Sequence, residues 1–479
     1  MLASAVLLDA LVRPRTRGAI RDAAGLWLVA CMTTALFGLF LALCGNSLVA
    51  AMLAFTLQAL LALASNAKHA VLGEPLLFSD LALVGAIFRH PQFYLSAIRP
   101  WQRVAVGMAT MALLTVIAWL SVADLLAHVL GLALLIGSLT ILALSLHVAP
   151  LRRLASMPDT HADLHRHGLL PTLLLYWLRW REDPDPPPCP KMERHTPECA
   201  PELLILIQCE SFADPADLFD DATLALPGLS FARENAWQWG RLEVSGFGAY
   251  TMRTEYGVIF GREEEALGFR RYDPFLTATG EASYALPRQF RGWRSLFVHP
   301  HDMRFYGRNR IMPAAGFSEL VGEDSFTPPT PAEGRYVTDA AIAQRIMALA
   351  ETAVQPSLIY AVTIENHGPW ASDGSPNADP VAGYLRLVHN SDAMLSMLIG
   401  RLRTLGRPAM LVFFGDHRPS IPGATAPGEG RHTPYVMIRI DAGGRIARGE
   451  KNRIDLTPAQ LHHAILRTVL GEPATAPEA

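Results

Sequence analysis

A long stretch without a charged side chain, residues 23–67, constrains this chain more than any other feature of its sequence. Its first part, residues 23–43, is apolar and long enough to cross a bilayer, which takes about 20 residues in a helix. Gly45-Asn46-Ser47 then interrupts the apolar run and predicts a turn, after which residues 48–64 can cross back. The stretch therefore predicts a pair of transmembrane helices.

A second apolar pair, residues 104–123 and 125–149, is divided by Asp124. A single run of this kind is also typical of a helix in a soluble core, but four of them favour four membrane spans. Residues 74–88, between the two pairs, predict an element on the membrane surface. Residues 1–12 are apolar but too short to cross by themselves. They fit a signal-like segment, an interfacial helix or a truncated first span.

The chain changes character after the apolar half. Residues 169–180 combine leucines with aromatic rings, which predicts a helix lying at the membrane interface. A Pro-rich linker over 183–190 then marks a domain boundary. The sequence thus predicts a transmembrane domain over 1–150, a juxtamembrane helix and linker over 151–200, and a second folded domain over 201–479.

Charge constrains partners and topology. A net charge of -3 without a basic stripe argues against nucleic acid binding. Arginines flank the predicted bundle at both ends, and with four spans both ends lie on one side. The positive-inside rule alone therefore places the C-terminal domain in the cytoplasm. These arginines are Arg13, Arg15, Arg17, Arg21, Arg152 and Arg153.

The cysteines and the histidines at 161–167 do not have the arrangement of a metal site. The five cysteines are too few and too scattered for a disulfide scaffold or a cysteine-based zinc site. His161, His165 and His167 have a suggestive spacing, but Asp159 and Asp163 beside them favour an exposed face. We therefore expect these histidines to be solvated.

The second domain alternates short apolar runs with turns and helical stretches. Three runs, residues 203–208, 357–364 and 409–414, predict buried parallel strands, because continuous apolar runs of this length fit strands covered on both faces by helices. This pattern predicts an α/β sandwich. In such sheets, ligands bind outside the carboxyl ends of the strands.

Metal-binding side chains follow all three predicted strands. The first strand ends in Cys209-Glu210-Ser211, the second in Glu365-Asn366-His367 and the third in Gly415-Asp416-His417. Carboxylate oxygens and imidazole nitrogens are ligands for Zn²⁺ or Mn²⁺. Because the strand ends share one edge of the sheet, the sequence predicts a metal site there.

A Gly-rich turn, Gly246-Phe-Gly-Ala-Tyr, runs into an apparent helix with Thr251 near its start. Backbone N–H groups at a helix N-terminus stabilise an anion such as phosphate. A threonine hydroxyl at that point becomes a nucleophile when a metal polarises it. The alternative interpretation is that Thr251 only caps the helix.

Taken in order, these motifs resemble a known family. Glu210-Ser-Phe, the Gly-rich turn into Thr251, Glu365-Asn-His367-Gly-Pro and Gly415-Asp-His417 resemble motifs of the lipoteichoic acid synthases. Related enzymes are the phosphoglycerol and phosphoethanolamine transferases of the alkaline phosphatase/sulfatase superfamily. The resemblance covers the chain from about residue 24 to its end. Three further segments are similar to the family: Phe305-Tyr-Gly-Arg308-Asn-Arg-Ile-Met312, Ser391-Asp392 and Phe78-Ser-Asp80.

The resemblance implies a role for each matching residue. One divalent ion, Mn²⁺ or Zn²⁺ rather than Mg²⁺, would be held by Glu210, Thr251, Asp416 and His417, with Thr251 as the nucleophile. The substrate would be contacted by His367, Arg308 and Tyr306, the last of which stands where the synthases commonly have tryptophan. The implied fold is an N-terminal α-helical transmembrane bundle followed by an α/β sandwich of the alkaline phosphatase/sulfatase type, with the catalytic domain over 201–479.

The resemblance also implies a function. The chain would be a transferase in a bacterial inner membrane that moves a phosphoglycerol-type head group from a phospholipid donor to a cell-envelope glycan or polymer. Its catalytic domain would lie outside the cytoplasm, against the arginine count. The family usually has five spans, so residues 1–12 would be a shortened first span. A phosphoethanolamine transferase, a sulfatase or phosphodiester hydrolase, and a non-catalytic binding module remain alternatives. A sulfatase would need a Cys or Ser, oxidised to formylglycine, in place of Thr251.

Overall fold

The computed structural model describes residues 1–14, 21–81, 100–190, 200–330, 333–370, 379–428, 430–449 and 453–471. The chain forms two compact units, Met1–Pro184 and Asp185–Ala479. The boundary falls within the Pro-rich segment. Each unit has its own architecture.

The first unit is helical. Its helices are α1 Leu2–Ala10, α2 Ala23–Cys44, α3 Ser47–Leu72, α4 Pro100–Leu120, α5 Leu125–Leu146, α6 Thr160–His167 and α7 Leu169–Glu182. Among the described residues, α2, α3 and α5 are long and apolar enough to cross a membrane. The predicted span 104–123 coincides with α4, whose described apolar part is Gly107–Leu120. A count of four spans therefore stays a prediction. The predicted surface element over 74–88 lies partly outside the described residues.

Local chemistry sets the ends of these helices. The Asp22 side chain accepts a hydrogen bond from the Gly25 N–H at 2.6 Å and caps α2, which ends at Gly45 in the left-handed conformation. Glycines also let α2 and α5 approach closely. A Cβ on Gly38 would lie 2.6 Å from the Leu135 backbone nitrogen, and one on Gly131 would lie 2.3 Å from that of Ala42.

Arg21 packs inside the helical unit. It is 6% exposed, and its Nε donates to Asp9 Oδ2 at 2.7 Å, while its terminal nitrogens donate to the carbonyls of Asp9 and Leu164. Burial of a charge is tolerated only when it is paired and hydrogen-bonded in this way. Arg21 is therefore a packing residue as well as one of the arginines before α2. Arg15 and Arg17 lie outside the described residues.

The expectation that the three juxtamembrane histidines are all solvated is wrong for His167. His161 and His165 are exposed, but His167 is 4% exposed, and its Nδ1 lies 3.0 Å from Asp22 Oδ2. Asp163, one helical turn earlier, is also buried. Residues four apart share a helix face, and this face of α6 turns inward.

The second unit is built on a mixed sheet. Its strands are β1 Leu203–Cys209, β2 Gln238–Leu242, β3 Arg294–Val298, β4 Glu319–Val321, β5 Ser357–Val362, β6 Ala409–Gly415, β7 Thr433–Ile440 and β8 Ile446–Ala447. The order across the sheet is β2-β7-β6-β1-β5-β3-β4, with β8 paired to β7. The helices are α8 Pro215–Leu218, α9 Pro227–Glu234, α10 Thr251–Phe260, α11 Pro274–Thr277, α12 Leu286–Gln289, α13 Arg308–Ala315, α14 Asp339–Glu351, α15 Pro380–Thr404 and α16 Pro458–Leu470.

The three predicted strands are neighbours at the centre of the sheet. β1 pairs in parallel with both β5 and β6, so that Leu203 faces Ser357 on one side and Ala409 on the other. All residues of these strands are buried, and alternate side chains of β1 join a core with α9, α14 and α15. Helices α10 and α16 pack against each other. The predicted fold class is confirmed, since parallel strands buried on both faces are typical of α/β proteins.

Candidate active site

Three metal-binding side chains converge at the carboxyl edge of the sheet. Glu210 follows β1, and Asp416 and His417 follow β6. Because Cys209 and Gly415 lie opposite each other in the parallel register, the next residues emerge side by side. His417 Nε2 lies 3.5 Å from Glu210 Oε1 and 3.6 Å from Asp416 Oδ2. One donor atom from each of the three residues lies within 4.8 Å of the others, and all three are buried.

The electrostatics of this cluster favour a bound cation. Burial and the neighbouring Glu210 raise the pKa of Asp416 to about 7. Burial lowers the pKa of His417, but the Asp416 and Glu210 carboxylates outweigh this and raise it overall. Asp416 Oδ1 accepts the N–H groups of Ser211 and His417, each at 2.8 Å, whereas its buried Oδ2 has no hydrogen-bond partner in the part of the chain that is described. Clustered buried carboxylates need a counter-charge.

The donor set fits a divalent ion. His417 Nδ1 lies 3.1 Å from the Arg418 carbonyl oxygen, so it can donate its proton there and present Nε2 to the carboxylates. Carboxylate oxygens with one imidazole nitrogen suit Zn²⁺ or Mn²⁺. Glu210, Asp416 and His417 are therefore able to hold such an ion.

Thr251 is the first residue of α10 and lies beside this cluster. It is 6% exposed, and its hydroxyl is close enough to Asp416 to be among the groups that lower the pKa of that carboxyl. The helix cap is Tyr250, which has φ 79° and makes no side-chain cap, so Thr251 does not serve as the cap. The Thr254 hydroxyl instead donates to the Asp416 carbonyl at 2.7 Å, and Thr254 is 1% exposed. Its hydroxyl therefore has a structural role.

The backbone around the cluster is strained at three points. Ser211, Tyr250 and Tyr306 have φ of 50°, 79° and 57°, in the left-handed region that non-glycine residues rarely adopt. Each lies next to, or within two residues of, a predicted site residue. Such conformations persist only where the surrounding structure holds them, and they concentrate at functional sites.

Arg308 is buried in a network that the sequence did not reveal. Its Nε and one terminal nitrogen donate to the two oxygens of Glu255 at 3.0 and 2.5 Å, and its other terminal nitrogen lies 3.1 Å from His299 Nε2. Glu255 follows Thr251 by four residues on α10, and so faces the same side of the helix. His299 is buried, and burial together with Arg308 holds its pKa well below the usual value. The neutral ring can then accept from Arg308 while its Nδ1 donates to the Val362 carbonyl at 3.0 Å.

Tyr306 and His367 lie at different depths. Tyr306 is half-buried, with the guanidinium carbon of Arg308 5.2 Å from its ring centre. Burial raises its pKa, and the Glu210 carboxylate raises it further. His367 is exposed, with its ring 5.7 Å from that of Tyr336, and it is not part of the ligand cluster.

The remaining motif residues have structural contacts. Glu365 accepts the Asp339 N–H at 2.7 Å and the Asn390 amide at 2.8 Å, so this carboxylate does not join the ligand cluster. Ser391 donates to Asp339 Oδ2 at 2.6 Å. Asp392 accepts the first free N–H groups of α9 at 2.7 and 2.6 Å and therefore caps that helix.

Comparison with known proteins gives the following relatives. The chain is 33% identical over 270 residues to the capsular polysaccharide biosynthesis protein RkpI of Rhizobium meliloti (strain 1021), covering 55% of this chain and 50% of the relative. It is 26% identical over 300 residues to a protein of the same strain named for cyclic beta-1,2-glucan modification, covering 56% and 45%. The chain thus spans about half the length of these relatives.

A solved structure matches both units. The integral membrane lipooligosaccharide phosphoethanolamine transferase A from Neisseria meningitidis aligns with a TM-score of 0.53 and 13% identity, over 98% of this chain and 95% of that one. At this identity the likeness shows a common fold, a transmembrane helical bundle followed by an alkaline phosphatase-type domain. The Sulfatase family profile matches residues 202–466, more than half of the chain and all of its central sheet. The chain therefore belongs to the sulfatase family.

Proposed function

We propose that this protein is a membrane-anchored phosphotransferase that moves a phosphoglycerol-type head group from a phospholipid to a cell-envelope glycan through a phosphothreonine at Thr251. The observation that carries the proposal is the convergence of Glu210, Asp416 and His417 beside Thr251 at the N-terminus of α10. A helix N-terminus stabilises the phosphate that Thr251 would receive.

Glu210, Asp416 and His417, together with the Thr251 hydroxyl, would hold one divalent ion, Mn²⁺ or Zn²⁺. When bound, the ion supplies Lewis-acid chemistry, which favours the threonine alkoxide and neutralises phosphate charge. The three side chains are buried, and a surrounding of low dielectric constant strengthens these interactions.

Both steps are substitutions at phosphorus. In the first, Thr251 Oγ1 forms a bond to phosphorus as the bond to the diacylglycerol oxygen breaks, and the threonine proton passes to that oxygen. In the second, an acceptor hydroxyl forms a bond to phosphorus, the Thr251 O–P bond breaks, and the hydroxyl proton returns to Thr251. We assign the proton transfer to His367, whose exposed ring is accessible to a leaving or entering hydroxyl.

Arg308 is suited to bind the phosphate. A guanidinium has five N–H donors, and three are used by Glu255 and His299. We assign the other two to phosphate oxygens, with Glu255 holding the group in place. Tyr306, against the Arg308 guanidinium, would border the head group.

The choice of donor and acceptor has separate support. The resemblance to the lipoteichoic acid synthases implies a phosphoglycerol-type head group, with phosphoethanolamine as the alternative, and the apolar helices give access to a phospholipid. The names of both Rhizobium relatives concern glycans, which favours a glycan acceptor. Such glycans are outside the cytoplasm, so we place the catalytic unit on the outer side of a bacterial inner membrane. A threonine at the nucleophile position disfavours sulfatase activity, because a sulfatase would need a Cys or Ser there.

The test is mass spectrometry of the purified full-length protein after incubation with Mn²⁺ and either phosphatidylglycerol or phosphatidylethanolamine. The expected result is an adduct on Thr251 whose mass identifies the head group. Thr251→Ala should give no adduct, Thr251→Ser should retain part of the activity, and Thr254→Ala is the matched control that should still be modified. An adduct that persists in Thr251→Ala, or that disappears only in Thr254→Ala, would contradict the proposal.

A further inference from the structure

A cavity of about 240 Å³, lined by charged side chains and one tryptophan, lies in the sulfatase unit. Its walls come from β2, from the start of β7 and from the segment around α8. Its lining includes Asp214, Asp217, Arg233, Trp239, Arg241 and His432.

Two chain segments connect this cavity to the active site. β2 continues through residues 243–250 to Thr251, and its carboxyl end points to the same edge of the sheet as that of β6, since both strands are antiparallel to β7. Arg418 directly follows the candidate ligand His417. Its guanidinium donates to the His432 carbonyl at 2.8 Å and to the Asp217 carboxylate. The cavity is therefore one arginine side chain away from the metal-binding cluster.

An aromatic ring forms one wall. Trp239 is half-buried, and the guanidinium carbons of Arg233 and Arg453 lie 5.5 and 5.9 Å from its ring centre. These distances are within the range of cation–π attraction. The contacts restrain the ring, which lowers the entropic cost of packing a ligand against its exposed part.

The polar groups around this ring are paired with one another. Arg233 donates to Asp214 at 2.6 Å, and Asp217 accepts from Arg241 at 3.2 Å, from His432 at 2.8 Å and from Arg418. Paired carboxylates and guanidinium groups still offer acceptor and donor positions to a ligand. The lining includes three arginines and two aspartates, which disfavours a cationic ligand.

We propose that this cavity binds a sugar unit of the glycan acceptor and presents its hydroxyl to phospho-Thr251. The inference rests on the proposed function and adds to it the site that selects the acceptor. A sugar ring has C–H surfaces that pack on an aromatic ring and hydroxyls that both donate and accept. The cavity volume is just below the range of about 300–1,000 Å³ that is typical of ligand pockets, which suits one ring-sized unit. Its charged walls exclude the acyl chains of the donor.

The first test measures binding without turnover. Full-length Thr251→Ala protein in detergent is titrated calorimetrically with cyclic β-1,2-glucan and, separately, with capsular polysaccharide. We expect saturable binding of one of them, and a Kd at least about tenfold higher when Trp239→Ala or Arg241→Gln is added. The Arg241 side chain is 42% exposed, so Arg241→Gln tests the site even where Trp239→Ala disturbs β2.

Trp237 provides a matched control. It is also half-buried, has the guanidinium carbon of Arg439 4.5 Å from its ring centre, and lies two residues before Trp239 but outside the cavity lining. Trp237→Ala should therefore leave the glycan Kd within about twofold. The proposal is overturned if Trp237→Ala and Trp239→Ala weaken glycan binding equally. It is also overturned if neither Trp239→Ala nor Arg241→Gln weakens binding, or if neither glycan binds saturably.

The second test uses active enzyme with labelled phospholipid and the glycan that binds. The ratio of head group on glycan to head group released to water should fall at least about tenfold in Arg241→Gln, and an unchanged ratio contradicts the assignment. Failure of the proposed function is distinguishable, because it appears as the absence of phospho-Thr251 in the wild type, whereas glycan binding is measured without that intermediate.

Discussion

The buried ion pair between Arg308 and Glu255 allows a quantitative prediction. The two side chains are 2% and 0% exposed, and their closest atoms are 2.5 Å apart. Glu255→Gln keeps an acceptor oxygen but removes the only carboxylate that contacts the guanidinium within the described residues. His299 cannot replace the lost negative charge, because an imidazole is either neutral or cationic. Breaking a buried pair by removing one partner costs about 3–5 kcal/mol.

This free energy converts into a change in melting temperature. For units of about 150–250 residues, 1 kcal/mol shifts the Tm by about 2–4 °C, and the larger sulfatase unit lies at the lower end. We therefore expect Glu255→Gln to lower the Tm of the full-length protein in detergent, followed by tryptophan fluorescence, by about 6–10 °C. Arg308→Met should lower it as well, and the double variant should fall by less than the sum.

Glu351 and Arg401 form a matched control pair. Their closest atoms are 2.6 Å apart, but the side chains are 44% and 53% exposed. An exposed pair contributes about 1 kcal/mol or less, so Glu351→Gln should lower the Tm by no more than about 2 °C. The reasoning is refuted if Glu255→Gln behaves like Glu351→Gln, or if the two changes at Glu255 and Arg308 are additive.

Three further predictions address other parts of the molecule. Removal of divalent ions with a chelator should lower the Tm by several degrees, and Mn²⁺ or Zn²⁺ should restore it, because a ligand at 100 times its Kd stabilises the folded state by about 2.7 kcal/mol. The Tm of the double variant Asp416→Asn with His417→Gln, which lacks two candidate ligands, should not change on addition or removal of the ion. An equal change in Tm there would show that the ion binds elsewhere. Burial and the nearby Glu365 raise the pKa of Asp339 from 3.8 to about 7, so the folded protein keeps a proton that the unfolded chain releases, and stability falls as pH rises through this interval. The stability of Asp339→Asn relative to the wild type should therefore increase between pH 5 and pH 8 by on the order of 1–3 kcal/mol, and a constant difference across that range would count against the shift. A reporter fused after residue 200 should read as extracytoplasmic, whereas a cytoplasmic signal would exclude transfer to an exported glycan.

The central architecture was predictable because it depends on local patterns. The apolar runs of α2, α3 and α5 are visible in the sequence, and so are the three buried strands, since strand length and burial on both faces leave continuous apolar runs. The convergence of Glu210 with Asp416 and His417 followed from one topological rule, that parallel strands bring their carboxyl ends to the same edge. The Gly-rich turn indicated a helix start at Thr251, and the family resemblance then singled it out as the candidate nucleophile.

Other features depend on which distant elements pack together. Glu255 and Arg308 are 53 residues apart, and only the fold brings the helix that starts at Thr251 against α13. Similarly, Arg21 and His167 belong to segments that looked solvated, but each is buried against an aspartate from another helix or turn. A charged side chain has the same appearance in sequence whether it is solvated or paired, because the cost of burying it is offset only by partners that tertiary packing supplies.

For the same reason, the candidate metal and nucleophile site and the proposed acceptor cavity differ in how far the sequence predicts them. The sequence by itself predicted the candidate ligand residues and the candidate nucleophile, since they follow strand ends and a helix start that local patterns mark. Only the tertiary structure decided the cavity beside them, where Trp239 of β2 meets Asp217 and His432 from segments far away in the chain. Its recognition chemistry is produced by the packing of non-local segments, and no single segment contains it.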